Sequence, residues 1–329
     1  MRPDRHNRAP ALLGVLFALL AISIASAPAQ EGKKTEGASA GPLTATLEVL
    51  GYFVYEGDPL RVRVSILNVS DKPYDSTAAI NLLAGLKVSA DKGGKVPVKV
   101  KPEADMKRQP AVLAPGGFFG IDSDITTFMP DVSKAGTYTI TWEAAGLSAP
   151  PVKIKVLPKF DPTAAYVAVL ETDYGYLEFD LKTKEATAHV KNFYDLSLQG
   201  AYDNTVIHQV IKGVEMRGGD LRDTGWPSYA LAQEIATGLT HKRGTLSSMP
   251  VAPGQDSGSQ FVVTLAPLAQ YDGALSIFGE MRKGEEVLTA IENIPTTGQK
   301  DQPPYFRPLK PVVLRSVTVK KASAEGSQR

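Results

Sequence analysis

Apolar and polar residues alternate with a period of two in several short segments between residues 43 and 157, and this alternation restricts the fold most strongly. Successive side chains of a β-strand point to opposite faces, so such a segment buries one face and leaves the other in water. The segments are 61–66, 137–142 and 152–156, and turn signals rich in glycine and proline separate them. The pattern predicts a β-sandwich of about 110 residues with roughly seven short strands.

The triplet Gly136-Thr137-Tyr138 opens one of these segments. It resembles the penultimate strand of immunoglobulin-like domains, so we expect residues 43–158 to form an immunoglobulin-like β-sandwich. This half contains no cluster of titratable residues and no metal-ligand spacing. We therefore expect it to act as a spacer or docking module, or to present a surface that binds an unknown partner in the cell envelope.

The start of the chain has the features of an export signal. Arg2, Arg5 and Arg8 precede an uncharged apolar run at 11–25, and Ala27-Pro28-Ala29 follows it. This combination predicts a secretory signal peptide over residues 1–29, cut after Ala29. The run is too short and wrongly flanked to stay as a membrane-spanning helix. We expect an exported chain, in the periplasm or the extracellular medium, with a flexible linker over residues 30–42.

The chain contains no cysteine. Disulfides, thiol catalysis and cysteine metal sites are therefore excluded, and each exported domain must rely on its own apolar core. Removal of the predicted signal peptide changes the formal net charge from +1 to about −1. A near-neutral chain with few basic clusters offers no electrostatic basis for binding nucleic acid.

After a short junction at 158–163, the pattern becomes mixed. Residues 177–181 alternate like a strand, and the apolar residues of 185–199 recur at three- and four-residue spacing, which predicts a helix ending at Gly200. Further elements are predicted as strands near 205–211, 245–249, 260–264, 276–281 and 312–320 and a helix near 285–293. This order fits a closed barrel over residues 159–321, capped by helices, whose first and last strands pair. Residues 322–329 form a polar tail.

Six motifs stand in one order along this half. They are Asn192-Phe193, Tyr202-Asp203 with 207–211, Gly213 with 217–220, 258–264, Asp272-Gly273 with Phe278-Gly279, and 307–312. Each is weak alone, but together and in this order they resemble the cyclophilin family. The resemblance implies an eight-stranded antiparallel β-barrel and peptidyl-prolyl cis-trans isomerase activity on proline-containing polypeptides, with no cofactor.

Peptidyl-prolyl isomerisation requires no nucleophile, acid, base or metal. Rotation about a peptide bond is opposed by amide resonance, which creates a barrier of about 18–20 kcal/mol. A catalyst binds the proline ring in an apolar pocket and directs a hydrogen-bond donor at the prolyl nitrogen, which becomes basic in the twisted transition state. The resemblance implies that an arginine directly after the histidine of an F-H-R motif is this donor.

Several pocket positions depart from the family pattern. Gln209 stands at the position of the family's catalytic arginine. Val214 replaces the pocket aromatic, and Glu215 replaces the apolar residue that follows it. Val262 replaces the second phenylalanine, and Gln270 replaces the tryptophan. By the resemblance, the substrate-binding residues are His208, Val214, Gln260, Phe261, Val262, Gln270 and Tyr271. Because the aromatic walls and the usual cation are missing, we expect catalysis to be weak.

Arg217 occupies the family's glutamine position before the double glycine, so Gln209 and Arg217 look like the family pair exchanged between adjacent positions. Both are candidate catalytic residues. Two roles for Arg217 remain open: it supplies the cation near the prolyl nitrogen, with Gln209 as neutral partner, or it pairs with Glu215 or Asp220 near the rim.

The sequence thus leaves three functions open. The first is an exported isomerase that helps secreted proteins fold. The second is a catalytically weak proline-peptide-binding module or holdase, and the third is a structural protein attached to the cell surface. Among the histidines, His189 and His241 are expected to face solvent and His208 to be buried and bonded to backbone. Their spacing fits no metal site.

Overall fold

The computed structural model describes residues 34–36, 41–51, 53–76, 80–99, 110–221, 229–299 and 305–322. The predicted signal peptide, most of the predicted linker and nearly all of the predicted tail lie outside these residues. Within them, no helix is both long and apolar enough to cross a bilayer. The described chain is mainly β, as predicted.

The N-terminal half is a two-sheet sandwich. Its strands are β1 (Lys34–Glu36), β2 (Leu43–Val49), β3 (Val54–Tyr55), β4 (Arg61–Asn68), β5 (Tyr74–Asp75), β6 (Leu86–Ala90), β7 (Gly94–Lys95), β8 (Val112–Leu113), β9 (Phe118–Asp124), β10 (Gly136–Ala144) and β11 (Leu147–Leu157). One sheet has the order β1-β2-β4-β9 and the other β3-β11-β10-β6-β7, while β5 and β8 pair separately. The likeness of this sandwich to the immunoglobulin fold stays a prediction.

The period-two alternation produces this sandwich. In β4, Val62, Val64 and Ile66 are fully buried, whereas Arg61 and Arg63 are exposed. The same alternation buries one face of β10 and one face of β11. The buried faces of the two sheets share one apolar core. Burial of each large aliphatic side chain stabilises the fold by about 1.5–3 kcal/mol, and the predicted alternation is confirmed.

The C-terminal half is a single curved sheet with two helices. Its elements are β12 (Tyr166–Thr172), β13 (Gly175–Leu181), α1 (Thr187–Leu198), β14 (Thr205–Ile207), β15 (Gln209–Ile211), β16 (Glu215–Gly218), β17 (Ala230–Ala232), β18 (Thr245–Ala252), β19 (Gln255–Thr264), β20 (Ile277–Lys283), α2 (Glu285–Glu292) and β21 (Val312–Lys321). The sheet order is β14-β21-β12-β13-β20-β18-β19-β16-β15, and β17 pairs with β19 outside this path. The buried residues of both helices belong to the core that this sheet encloses.

The two ends of this sheet are one continuous stretch of chain. β14 and β15 are separated only by His208, whose backbone N–H donates to the carbonyl oxygen of Arg217 in β16 at 3.0 Å. The sheet therefore closes into a barrel. Counting β14 and β15 as one strand and setting β17 aside reduces the ten strands of the sheet to eight, and the predicted eight-stranded barrel is confirmed.

The last strand pairs with β12, in a register that runs from Tyr166 opposite Lys321 to Thr172 opposite Leu314. The predicted strand at 177–181 is β13, and β12 lies before it, where the period-two pattern indicates no strand. Residues 166–170 read Tyr-Val-Ala-Val-Leu, so both faces of β12 carry apolar side chains. A strand that is apolar on both faces shows no period of two, and pattern analysis passes over it.

The structure shows that His189 and His241 are buried, so their predicted exposure to solvent was wrong. Nδ1 of His189 lies 2.6 Å from Oε2 of Glu234, and Nε2 lies 3.2 Å from Oδ2 of Asp256. Burial lowers the pKa of His189, but the two neighbouring carboxylates favour the protonated ring and outweigh burial, so the pKa is raised overall. His189 precedes Phe193 by four residues, which is the spacing of the buried helix face, so the sequence did contain the signal.

Candidate active site

Three neighbouring strands of the barrel bring the candidate catalytic residues together. In the register of β15, β16 and β19, Gln209 lies opposite Arg217, and Arg217 lies opposite Val262. Residues paired in this way share one face of a sheet and have Cβ atoms about 4.5–5.5 Å apart. The next row on that face holds Glu215 opposite Thr264. The sequence prediction that Gln209 and Arg217 are spatial neighbours is therefore consistent with the strand register.

The guanidinium of Arg217 is paired with Glu215. Nε of Arg217 donates to Oε1 of Glu215 at 2.6 Å, and Nη2 contacts the same oxygen. The other carboxylate oxygen, Oε2, accepts from the hydroxyl of Tyr271 at 2.8 Å. The side chain of Glu215 is only 1% exposed, whereas that of Arg217 is 29% exposed. The ion pair that the sequence left open as one role of Arg217 is thus present.

Tyr271 completes a group of three side chains that we call the Glu215 cluster: Glu215, Arg217 and Tyr271. Burial, with the neighbouring Glu215 carboxylate, raises the pKa of Tyr271 above its usual value. The phenol therefore keeps its proton at neutral pH and remains a donor. Its ring packs edge-on against His241, with ring centroids 5.7 Å apart. Nδ1 of His241 in turn lies 2.9 Å from Oδ1 of Asp272.

Gln209 is a neutral donor that already has an internal partner. One N–H of its side-chain amide donates to the carbonyl oxygen of Tyr305 at 3.1 Å. Its Oε1 is buried and has no hydrogen-bond partner among the described residues. The position where the family resemblance implies a cation therefore holds an uncharged side chain that is tied to the segment before β21.

The predicted substrate-binding residues are placed in different surroundings. Val262 is buried on the face that carries Arg217, and Gln260, two residues earlier, is 2% exposed with neither amide atom bonded to a described residue. Phe261 points into the barrel core, where it packs edge-on against Phe193 and Tyr202. The remaining assigned positions are His208, Val214 and Tyr271, which are half-buried, and Gln270, which is exposed.

The sequence identified Glu215 as a departure from an apolar pocket position and as one of two acidic partners for Arg217, but it gave no indication of Tyr305. The place of Glu215, where the family resemblance implies an apolar pocket residue, was the available signal for a buried carboxylate. No signal pointed to Tyr305, because it lies 96 residues from Gln209 along the chain. Among the described residues, no group of three or more histidine, aspartate or glutamate side chains is arranged to hold a metal ion.

A closed eight-stranded antiparallel barrel with two helices packed against its core, and a polar cluster on one face of β15, β16 and β19, is the architecture expected of a cyclophilin-type isomerase. The family model for the cyclophilin type peptidyl-prolyl cis-trans isomerases matches residues 167–319. That span contains all nine predicted site positions, from His208 to Tyr271.

Named relatives agree with this match. Peptidyl-prolyl cis-trans isomerase-like 1 of Neurospora crassa is 38% identical over 145 residues, which are 43% of this chain and 88% of the relative. Peptidyl-prolyl cis-trans isomerase B of Streptomyces anulatus is 35% identical over 171 residues, covering 46% of this chain and 95% of the relative. A crystal structure of a Cryptosporidium parvum cyclophilin type peptidyl-prolyl cis-trans isomerase is 29% identical, with a TM-score of 0.44, and covers 48% of this chain and 99% of that one. The identity to the Neurospora crassa and Streptomyces anulatus relatives, over most of their length, shows that the chain belongs to the cyclophilin-type peptidyl-prolyl cis-trans isomerase family.

Proposed function

We propose that this chain is an exported peptidyl-prolyl cis-trans isomerase that assists the folding of secreted proteins, with activity below that of an ordinary cyclophilin. Its substrates are proline-containing polypeptides, whose X-Pro bonds isomerise in tens to hundreds of seconds without a catalyst and so limit folding. Export is supported by the basic start, the apolar run at 11–25 and the Ala27-Pro28-Ala29 motif.

One observation carries the proposal of reduced activity: Arg217 lies directly opposite Gln209, and its guanidinium is bonded to the buried Glu215. A cation is therefore present in the row of the candidate catalytic residues, but a carboxylate balances its charge. A neutral donor such as Gln209 forms hydrogen bonds about half as strong as those of a charged donor. Loss of one preorganised donor costs about 10²–10³-fold in rate. We expect kcat/KM about a hundredfold or more below that of an ordinary cyclophilin.

The test is kcat/KM for the purified full chain on an X-Pro peptide, compared with Arg217→Ala. Arg282→Ala is the matched control, because Arg282 also pairs with carboxylates, those of Glu178 and Asp180, on β13 rather than on the candidate site. We expect Arg217→Ala to lose most of the activity and Arg282→Ala to keep it, with thermal unfolding confirming that both are folded. Unchanged activity in a folded Arg217→Ala protein would remove Arg217 from the mechanism.

A second candidate function is a proline-peptide-binding module that has kept the barrel but lost most catalysis. The observation that favours it is that both candidate donors have internal partners, Tyr305 for Gln209 and Glu215 for Arg217. Binding of an X-Pro peptide, measured by calorimetry, without any acceleration of isomerisation would favour this module over the enzyme.

A further inference from the structure

We propose that Glu215 is a positioning residue that restrains isomerisation. It draws the Arg217 guanidinium toward the row of the sheet that holds Glu215 and Thr264, and it balances the positive charge of Arg217. This inference rests on the proposed isomerase function. It differs from a purely structural ion pair in one consequence: removal of the Glu215 charge raises the rate instead of lowering it.

The geometry of β16 determines where the guanidinium lies. Glu215 and Arg217 are two residues apart in one strand, so their side chains leave the same face of the sheet. Arg217 belongs to the row of Gln209 and Val262, whereas Glu215 belongs to the row of Thr264. Since both Nε and Nη2 contact Oε1 of Glu215, the charged end of Arg217 is drawn from its own row toward the neighbouring one.

The carboxylate cannot easily turn away from Arg217. Its second oxygen, Oε2, accepts from the hydroxyl of Tyr271, and the side chain is almost completely buried. Tyr271 stays protonated because its pKa is raised, so this hydrogen bond is retained at neutral pH. Water and salt screen a buried charge much less than an exposed one, so Glu215 neutralises most of the field that Arg217 would present to a substrate.

The test compares Glu215→Gln with the unmodified chain in the isomerase assay. The amide has the shape of the carboxylate: its oxygen can accept from Arg217 and its NH2 group can donate to the hydroxyl oxygen of Tyr271, but it carries no charge. We expect kcat to rise at least tenfold, with KM changed by less than about threefold, because a donor that acts in the transition state affects kcat rather than binding. The gain should disappear in the double change Glu215→Gln with Arg217→Gln, since no cation is then left to release.

Two further variants keep the test decisive. Glu178→Gln is the matched control, because Glu178 pairs with Arg282 on the barrel away from the Glu215 cluster, and its kcat should not change. Glu215→Met replaces the carboxylate with an unbranched apolar side chain, and it serves if Glu215→Gln does not give a cooperative thermal transition. A folded Glu215→Gln or Glu215→Met protein with unchanged or lower kcat, beside an active parent chain, overturns the inference and leaves the proposed function standing. If neither the parent nor any Glu215 variant turns over, the proposed function fails as well.

Discussion

The exchange of Gln209 and Arg217 tests whether the order of this pair limits the isomerase activity of the barrel. The two residues are directly paired across β15 and β16, so the double change Gln209→Arg with Arg217→Gln moves the cation to the opposite strand while the composition of the pair is kept. In the new position the guanidinium is a diagonal neighbour of Glu215, and such neighbours lie about 7–8 Å apart. Glu215 would therefore neutralise it less than it neutralises Arg217.

The single changes have calculable penalties. Gln209→Arg alone places two guanidinium groups side by side, and two like charges about 7 Å apart at an effective dielectric constant of about 20 repel by roughly 2 kcal/mol. This repulsion corresponds to a factor of about 30 in the ratio of folded to unfolded protein. The negative charge of Glu215 offsets part of it. Arg217→Gln alone removes the cation and leaves the buried Glu215 with Tyr271 as a remaining donor. Because Arg217 is 29% exposed, we expect the loss of this pair to destabilise the fold by about 1–3 kcal/mol, below the range for fully buried pairs.

The assay is kcat/KM on one X-Pro peptide for all four proteins, with thermal unfolding as the control for folding. We expect the double mutant to exceed both single mutants by at least tenfold, because the effects of residues in contact are not additive. A double mutant that is folded but no more active than Gln209→Arg alone would show that the order of the pair has no bearing on catalysis.

Three further predictions concern the stability and processing of the chain. The pKa of His189 is raised and the pKa values of Glu234 and Asp256 are lowered. The stabilisation that His189 contributes is therefore complete below pH 6.5 and is lost as the pH rises through the pKa of the folded state. The stabilisation that the two carboxylates contribute is lost on acidification. His189→Gln should therefore flatten the fall in Tm on the alkaline side, where each kcal/mol corresponds to about 2–4 °C, and an unchanged profile would contradict this. Residues 159–321 expressed alone should unfold cooperatively, because they have a core of their own, while bonds to the sandwich such as those of Gln199 to Tyr55 and Lys159 to Asp58 are long, at 3.3 and 3.5 Å. An unfolded fragment would refute this prediction. N-terminal sequencing of periplasmic protein should begin at Gln30, and material that starts at Met1 would argue against cleavage.

Much of the fold follows from local pattern. The buried faces of β4, β10 and β11 were predicted because alternation is a property of consecutive residues, and helix α1 was predicted within two residues of its observed bounds for the same reason. The barrel was predicted from the ordered motifs between Asn192 and Val312, and these also located the candidate pair, Gln209 and Arg217. The exposure of His189 was predicted wrongly although its helical spacing contained the signal.

Only the tertiary structure decided which partners those residues have. The sequence by itself determined that Gln209 stands where a cation was expected and that Arg217 stands two residues after a glutamate. It did not determine that Tyr271 fixes the far side of Glu215, or that Gln209 donates to Tyr305. Periodicity depends on residues within a few positions of each other, whereas these contacts join residues 56 and 96 positions apart. Such contacts arise only when the strands close into a barrel in one register, since a shift by a single residue would turn every side chain of the strand to the other face.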